Sequence, residues 1–462
     1  MFFINTVNNI GCFYKLIRSS MKFFLTTTRT LSLYSFLAAA FVSQMNISYA
    51  ADHRQPAVVA AYYPDWKVYT PNNPYPASKI PADKLTHLIY AFLAVCGPVD
   101  SSPNNIKKII ATQCANKPTG TAIILDEYAA LHIKLAGETA TNVSYKGNFG
   151  QLKALSDKYP HLSILPSFGG WTLSEPFHTV ALDPTYRKTF INSATELILK
   201  YDFFDGIQID WEYPGGYGLS GKGQTNAKLE REAYSLLIKE LRLKLNTLEQ
   251  QNNRKYQLSA AINAGPKTLP GINWSYINQY LDQVYLMSFD FLGNWNHVVG
   301  HHSNLYSTPN TPDNTSVENQ VNALIDKNIS KNKIIIGSPF YGRGWQGVNT
   351  ISPDKLENIN SKGGLRKGSD IQDPGYFNYS DISKYFLSNP KLGYRYYYDE
   401  AAQAAVLYNQ KNKEYISFED KRSLKAKADY VKKHGLGGVF GWEITSDVND
   451  ELISVLDSTL NP

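Results

Sequence analysis

The sequence predicts an α/β fold, a (β/α)8 TIM barrel with a small α+β insertion between its seventh and eighth strands. Three observations predict it. Eight short apolar runs are spread over 462 residues, most of them followed by a stretch of helical periodicity. The runs are nearly continuous in apolar residues, which suits parallel strands covered on their outer face. Residues of unusual chemistry gather at the carboxyl ends of the runs, where such a barrel concentrates its functional groups. Pattern alone leaves a doubly wound open sheet as the alternative.

The first fifty residues contain Lys15, Arg18, Lys22 and Arg29 and no acid. Lys22 and Arg29 precede an apolar run from Leu31 to Val42, and Ser48-Tyr49-Ala50 offers small residues at a cleavage position. This is the layout of a secretory leader, too short to span a bilayer, which takes about 20 apolar residues. The residues before Met21 suit a leader less well, which points to Met21 as the start. Export after cleavage near Ala50 is therefore expected, with no membrane segment in the mature form.

The expected strands run from Val58 to Tyr63, Leu88 to Phe92, Ile164 to Phe168, Gly206 to Glu212, Leu258 to Ile262, Val284 to Phe289, Ile334 to Gly337 and Val439 to Trp442. The clearest helices are Asn148 to Lys158, Tyr186 to Lys200, Lys228 to Gln250, Val317 to Lys327 and Ser423 to Lys433. Residues 51–343 and 416–462 would form the barrel. Residues 344–415 are irregular and Tyr-rich, too long for a connecting loop, and read as an inserted β-rich domain that walls one side of the active face. The strand ends present Tyr63 and Trp66, Ser167 to Trp171, Asp210 and Glu212, Met287 to Asp290, Tyr341 and Arg343, and Trp442.

The run Asp205-Gly206-Ile207-Gln208-Ile209-Asp210-Trp211-Glu212-Tyr213-Pro214 is the most informative. Side chains alternate along a strand, so Gln208, Asp210 and Glu212 share one side and the apolar residues the other. Stacked carboxylates are costly to bury without a purpose. They suit acid–base chemistry, which needs a proton donor and a charged partner at fixed spacing. Asp205 has the opposite parity and reads as a structural partner at the strand's start.

Composition excludes other classes. Hydrophobic residues make up 43% and charged residues 19%, the balance of a folded globular chain. Of the formal charge of +6, the first fifty residues carry +4 and leave +2, which gives no electrostatic case for nucleic acid or a membrane surface. Cys96 and Cys114 form an even pair in an exported chain and can close a loop as a disulfide, with two free thiols the alternative. Neither has His or Cys at metal-ligand spacing, so no metal and no cofactor is expected. Gly216 to Gly223 falls one residue short of a phosphate-binding loop, because Gly223 stands where Ser or Thr would hold magnesium. Gly435-Leu436-Gly437-Gly438 precedes a strand and is better read as a helix stop.

With these residues the chain resembles the family 18 glycoside hydrolases, specifically the bacterial chitinase A type. The resemblance runs from Tyr62 to Trp442. It rests on Ser167-Phe168-Gly169-Gly170-Trp171, Asp205 to Pro214, Met287-Ser288-Phe289-Asp290, Tyr341-Gly342-Arg343-Gly344-Trp345 and Gly441-Trp442-Glu443. It implies the barrel, the insertion before the last strand, and hydrolysis of β-1,4-linked N-acetylglucosamine in chitin or chito-oligosaccharides. Chitinases of this type often carry an extra N-terminal module; Val58 follows the leader almost at once, so that module is expected to be absent. A monomer is expected.

The resemblance also implies roles. The substrate's acetamido group serves as nucleophile in place of a second carboxylate. Glu212 would protonate the leaving oxygen and then activate water. Asp210 would hold the acetamido N–H and stabilise the oxazolinium charge. Trp442 would floor the distorted sugar, with Met287 and Asp290 lining the same subsite. Tyr213, Tyr341 and Arg343 would donate to bound sugar. Trp66, Tyr69, Trp171 and Trp295 are candidate stacking platforms. Ser167 and Gly170 would support the site from below. Two departures stand out: Gln208 where the family usually has Asp, and Phe289 where it usually has Tyr. Gln208 is expected to donate to Asp210 and let it ionise more readily; Phe289 lacks a hydroxyl for the acetamido group. Two other readings share the groove: a chitin-binding, lectin-like protein without useful turnover, and hydrolysis of the N,N′-diacetylchitobiose core of glycans.

Overall fold

A computed structural model describes residues 56–462 apart from 72–73, 223–225, 297, 310, 312–314, 350–363, 365–367, 369–372 and 448. The leader, Cys12 and Met21 lie outside the described residues.

Eight parallel strands close a barrel. They are β1 (Val58–Pro64), β2 (His87–Val95), β4 (Ser163–Gly169), β5 (Gly206–Asp210), β6 (Gln257–Ile262), β7 (Gln283–Leu286), β8 (Ile334–Pro339) and β14 (Gly438–Trp442). The order around the ring is β1-β14-β8-β7-β6-β5-β4-β2, and β1 pairs with β2 to close it. Closure removes the open-sheet alternative. A short β3 (Ala122–Ile124) adds antiparallel to β2.

The helices on the outside are α1 (Asn104–Cys114), α2 (Gly147–Lys158), α3 (Pro184–Lys200), α4 (Ala227–Asn252), α5 (Val317–Asp326), α6 (Lys421–His434) and α7 (Glu451–Leu460). Several begin where the sequence offers a cap. The Asp183 side chain accepts from the first turn of α3, with Pro184 at the first helical position. Asp420 and Ser423 form a reciprocal capping box on α6, and Gly435 stops that helix in the left-handed region.

Strand parity produces two apolar layers. Val59, Ala61 and Tyr63 of β1 face the helices, whereas Val58, Ala60 and Tyr62 face the barrel interior with Tyr285 and Phe440. Between β8 and β14 stands a five-stranded antiparallel sheet in the order β10-β9-β13-β12-β11. Its strands are β9 (Tyr341–Gln346), β10 (Tyr376–Asn378), β11 (Arg395–Asp399), β12 (Ala404–Asn409) and β13 (Glu414–Phe418). It therefore begins at Tyr341, with only Phe340 between it and the end of β8, and runs to Phe418, so boundaries drawn at 344 and 415 cut through two of its strands.

Candidate active site

The site lies at the carboxyl ends of the barrel strands. Gly169 and Gly170, both at positive φ, end β4 against the backbone of β5. A Cβ on Gly169 would sit 2.0 Å from the Asp210 carbonyl oxygen, and one on Gly170 would strike the Phe92 ring at 2.7 Å. Only glycine permits that approach. The Gly170 N–H then donates to the Asp210 carbonyl at 2.8 Å, which ends β5 at Asp210 and releases Glu212 from the strand ladder.

Ser174 holds this junction in place. Its hydroxyl accepts the Glu212 N–H at 2.9 Å and lies within donating distance of the Gly170 and Asp210 carbonyls, at 2.8 and 3.0 Å. One buried hydroxyl thus ties the backbones of both acidic residues to the β4 loop. The sequence did not single it out; its place three residues after Trp171 was the available signal.

Asp210 is 2% exposed and its Oδ1 has no hydrogen-bond partner among the described residues. Burial first, and then the Glu212 charge, push its carboxyl well above the ordinary range. Burial also raises Glu212, to about 7; a hydrogen bond with Tyr213 opposes that rise and the Asp290 charge adds to it. Tyr213 is itself driven well above its usual value by burial and by Glu212, so it stays a donor.

Gln208 does not act as expected. Its Oε1 accepts the Tyr62 hydroxyl at 2.6 Å and its Nε2 donates to Ser259 at 3.3 Å. Both ends of the amide are engaged away from Asp210, which keeps its orphaned oxygen. Ser167 pairs in register with Gln208, is fully buried, and its hydroxyl has no partner among the described residues.

Asp290 sits at φ +55°, and both its oxygens accept from Arg343, at 2.9 and 2.8 Å. Burial alone would raise its carboxyl; Arg343, helped by His302, more than offsets that and holds it well below the usual range. Arg343 also bonds Asp373 and lies 5.1 Å from the rings of both Trp295 and Tyr341. It is thus committed to Asp290, Asp373 and the aromatic wall. His302, nearly fully buried, comes within 3.8 Å of Asp290, and burial lowers it to about 4, so it is neutral in ordinary buffers.

An aromatic ladder leads into the site. Trp442 stacks on Phe92 at 5.7 Å, and Phe92 faces the half-exposed Trp66 at 6.3 Å. Tyr62 packs against Trp442 at 5.2 Å. Met287 and Phe289 pack on the same inner cluster, with Phe289 edge-on to Tyr341 at 6.4 Å. Trp171 is half exposed and 6.5 Å from Tyr213. Tyr69 is also half exposed.

One residue singled out by sequence lies outside the site, and Asp205 takes the structural place expected of it. Tyr63 faces outward and donates to Tyr75 and Asn148; Tyr62 is the inner residue, and both faces of β1 are apolar, so no polar marker told them apart. Asp205 is at the opposite end of β5, where it accepts from the Ile164 N–H at 2.8 Å and from Arg254 at 2.7 Å. Phe92, Ser174 and His302 are the residues near the site that sequence reading missed. Cys96 and Cys114 are joined as a disulfide.

The profile of the glycosyl hydrolases family 18 matches residues 58–447. Among curated relatives, the chitinase of Autographa californica nuclear polyhedrosis virus is 37% identical over 88% of this chain and 73% of its own length. Chitinase A of Pseudoalteromonas piscicida is 33% identical over 87% of this chain and 52% of its own. Among solved structures, chitinase ChiA74 of Bacillus thuringiensis superposes with a TM-score of 0.77 at 30% identity, covering 88% of this chain and 70% of that one.

Proposed function

The chain belongs to family 18 of the glycosyl hydrolases, and from that premise we propose that it is a chitinase cleaving β-1,4-N-acetylglucosamine linkages in chitin and chito-oligosaccharides. The observation that carries the reading is the pair Asp210 and Glu212. They are two neighbouring carboxyls, both raised by burial, at the mouth of the barrel beside a Trp442 platform.

Glu212, near 7, is protonated often enough to donate to a leaving oxygen and basic enough afterwards to take a proton from water. Asp290 is a poor nucleophile because Arg343 holds both its oxygens. Asp210 has an unsatisfied buried acceptor, which an acetamido N–H would fill. That contact turns the acetamido oxygen toward the anomeric carbon, so the substrate supplies its own nucleophile and the configuration is retained. The N-terminal apolar run and small-residue cleavage position support export. Fluorophore release from a chitobioside by wild type and Glu212→Gln tests the enzyme reading. Loss of release in the variant with sugar binding intact is expected; a wild type that binds and releases nothing would favour the lectin-like alternative.

A further inference from the structure

The glycine-rich segment after β5, which is no phosphate loop, lies against the acid. A Cβ on Gly218 would fall 2.1 Å from the Glu212 carbonyl oxygen, so the segment's backbone runs in contact with that of Glu212. It is tied at both ends. At the inner end, the Gly215 N–H donates to buried Glu230 of α4 at 2.8 Å, and Glu230 pairs with His178 at 2.6 Å. At the outer end, Lys222 forms an ion pair with Glu175 and reaches Asp100 at 3.4 Å. The Glu175 side chain is 3% exposed and also accepts the Ser101 N–H at 2.6 Å. One buried carboxylate on the β4 loop therefore grips both the glycine-rich strap and the disulfide-closed excursion after β2.

Between these walls is a crevice lined by Ser101, Trp171, Leu219 and Ser220, with Glu212 also lining it, and it is too narrow to admit a water molecule. Small-molecule sites commonly hold roughly 300–1,000 Å3, and this crevice has no such room, so as it stands it is shut to a sugar. It is bounded by the loops after β2, β4 and β5, and β5 stands four places around the ring from β14, which carries Trp442. If the cleaved sugar rests on Trp442, the crevice lies on the leaving-group side of Glu212.

We propose that the 215–222 strap is a gate over the leaving-group side of Glu212, held shut by the Lys222–Glu175 ion pair, and that Lys222 sets the affinity for the sugar that leaves. This rests on the chitinase reading. Entry of a sugar into the crevice beside Trp171 requires the strap to swing out, so the ion pair opposes binding of substrates that occupy the crevice.

The test uses purified wild type, Lys222→Met and Lys222→Arg with chitohexaose at low and high sodium chloride. Removing a half-exposed ion pair should lower KM by about fivefold in Lys222→Met, without raising kcat. Salt should lower the wild-type KM by screening the pair and leave Lys222→Met unmoved. Lys222→Arg should behave as wild type. Hydrogen exchange in the strap should be faster in Lys222→Met than in the other two. An active wild type with the same KM, salt response and exchange as Lys222→Met overturns the gate. A wild type that does not cleave chitohexaose overturns the chitinase reading and the role of the gate in sugar affinity with it; unequal exchange would then still show that the strap is latched.

Discussion

Glu212 has a cost to the fold that its proposed role as acid and base would require. Its carboxyl titrates near 7 in the folded chain against an ordinary 4.5, so the native state favours the protonated form. Below the ordinary value both states are protonated and nothing is lost; between there and about 7 the folded state is increasingly penalised for holding a proton the unfolded chain has released. Glu212→Gln removes that penalty. Thermal melts should show a raised midpoint for the variant at pH 8 and little change at pH 4, and a variant less stable at pH 8 would contradict the assignment. Activity should fall by a factor on the order of 10²–10⁴ in the same variant. For wild type, kcat/KM should decline as pH rises through about 7, with an apparent value that belongs to the Asp210–Glu212 pair. Gln208→Asp places a like charge beside Asp210, which should move the acidic limb of the profile upward; an unchanged limb would show that position 208 has no electrostatic hold on the pair. The acidic row was legible because strand parity separates it from Ile207 and Ile209. The engagement of Gln208 by Tyr62 and Ser259 was not, since both partners are distant in sequence and Tyr62 carries no marker of its facing.

Between elements, the acidic pair depends on a join between the β4 loop and the end of β5, and Ser174 makes it. Ser174→Ala leaves the Glu212 N–H without that acceptor. We expect kcat to fall on the order of tenfold with KM little changed, because the acid is displaced and the sugar platforms are not. A raised KM at constant kcat would instead place Ser174 in sugar binding. The eight barrel strands could be read from their apolar runs because they are buried on both faces. The excursion between Cys96 and β3 could not. β3 has three residues, too few for periodicity to register, and α1 buries only Ile110. The insertion's edges were misplaced for a related reason. A single residue, Phe340, separates β8 from β9, so no linker composition marks where the barrel is interrupted.

For the whole molecule, a closed ring of strands supplies a rigid floor, and the antiparallel sheet contributes Tyr341 and Arg343 from β9, which lock Asp290 in place. The ladder runs from Trp442 through Phe92 to the half-exposed Trp66, so on the proposed reading the groove extends past the reacting sugar. Trp66→Ala should therefore raise KM more for chitohexaose than for chitotriose, because the apolar face of a sugar stacks on an aromatic ring; equal effects on both would place Trp66 outside the groove. The central claim is that Glu212 donates the proton while the sugar's own acetamido group, held by Asp210, attacks. Proton NMR of the products of chito-oligosaccharide cleavage, recorded before mutarotation, tests it most directly. Newly formed reducing ends in the β configuration are the predicted result, and α ends would contradict it.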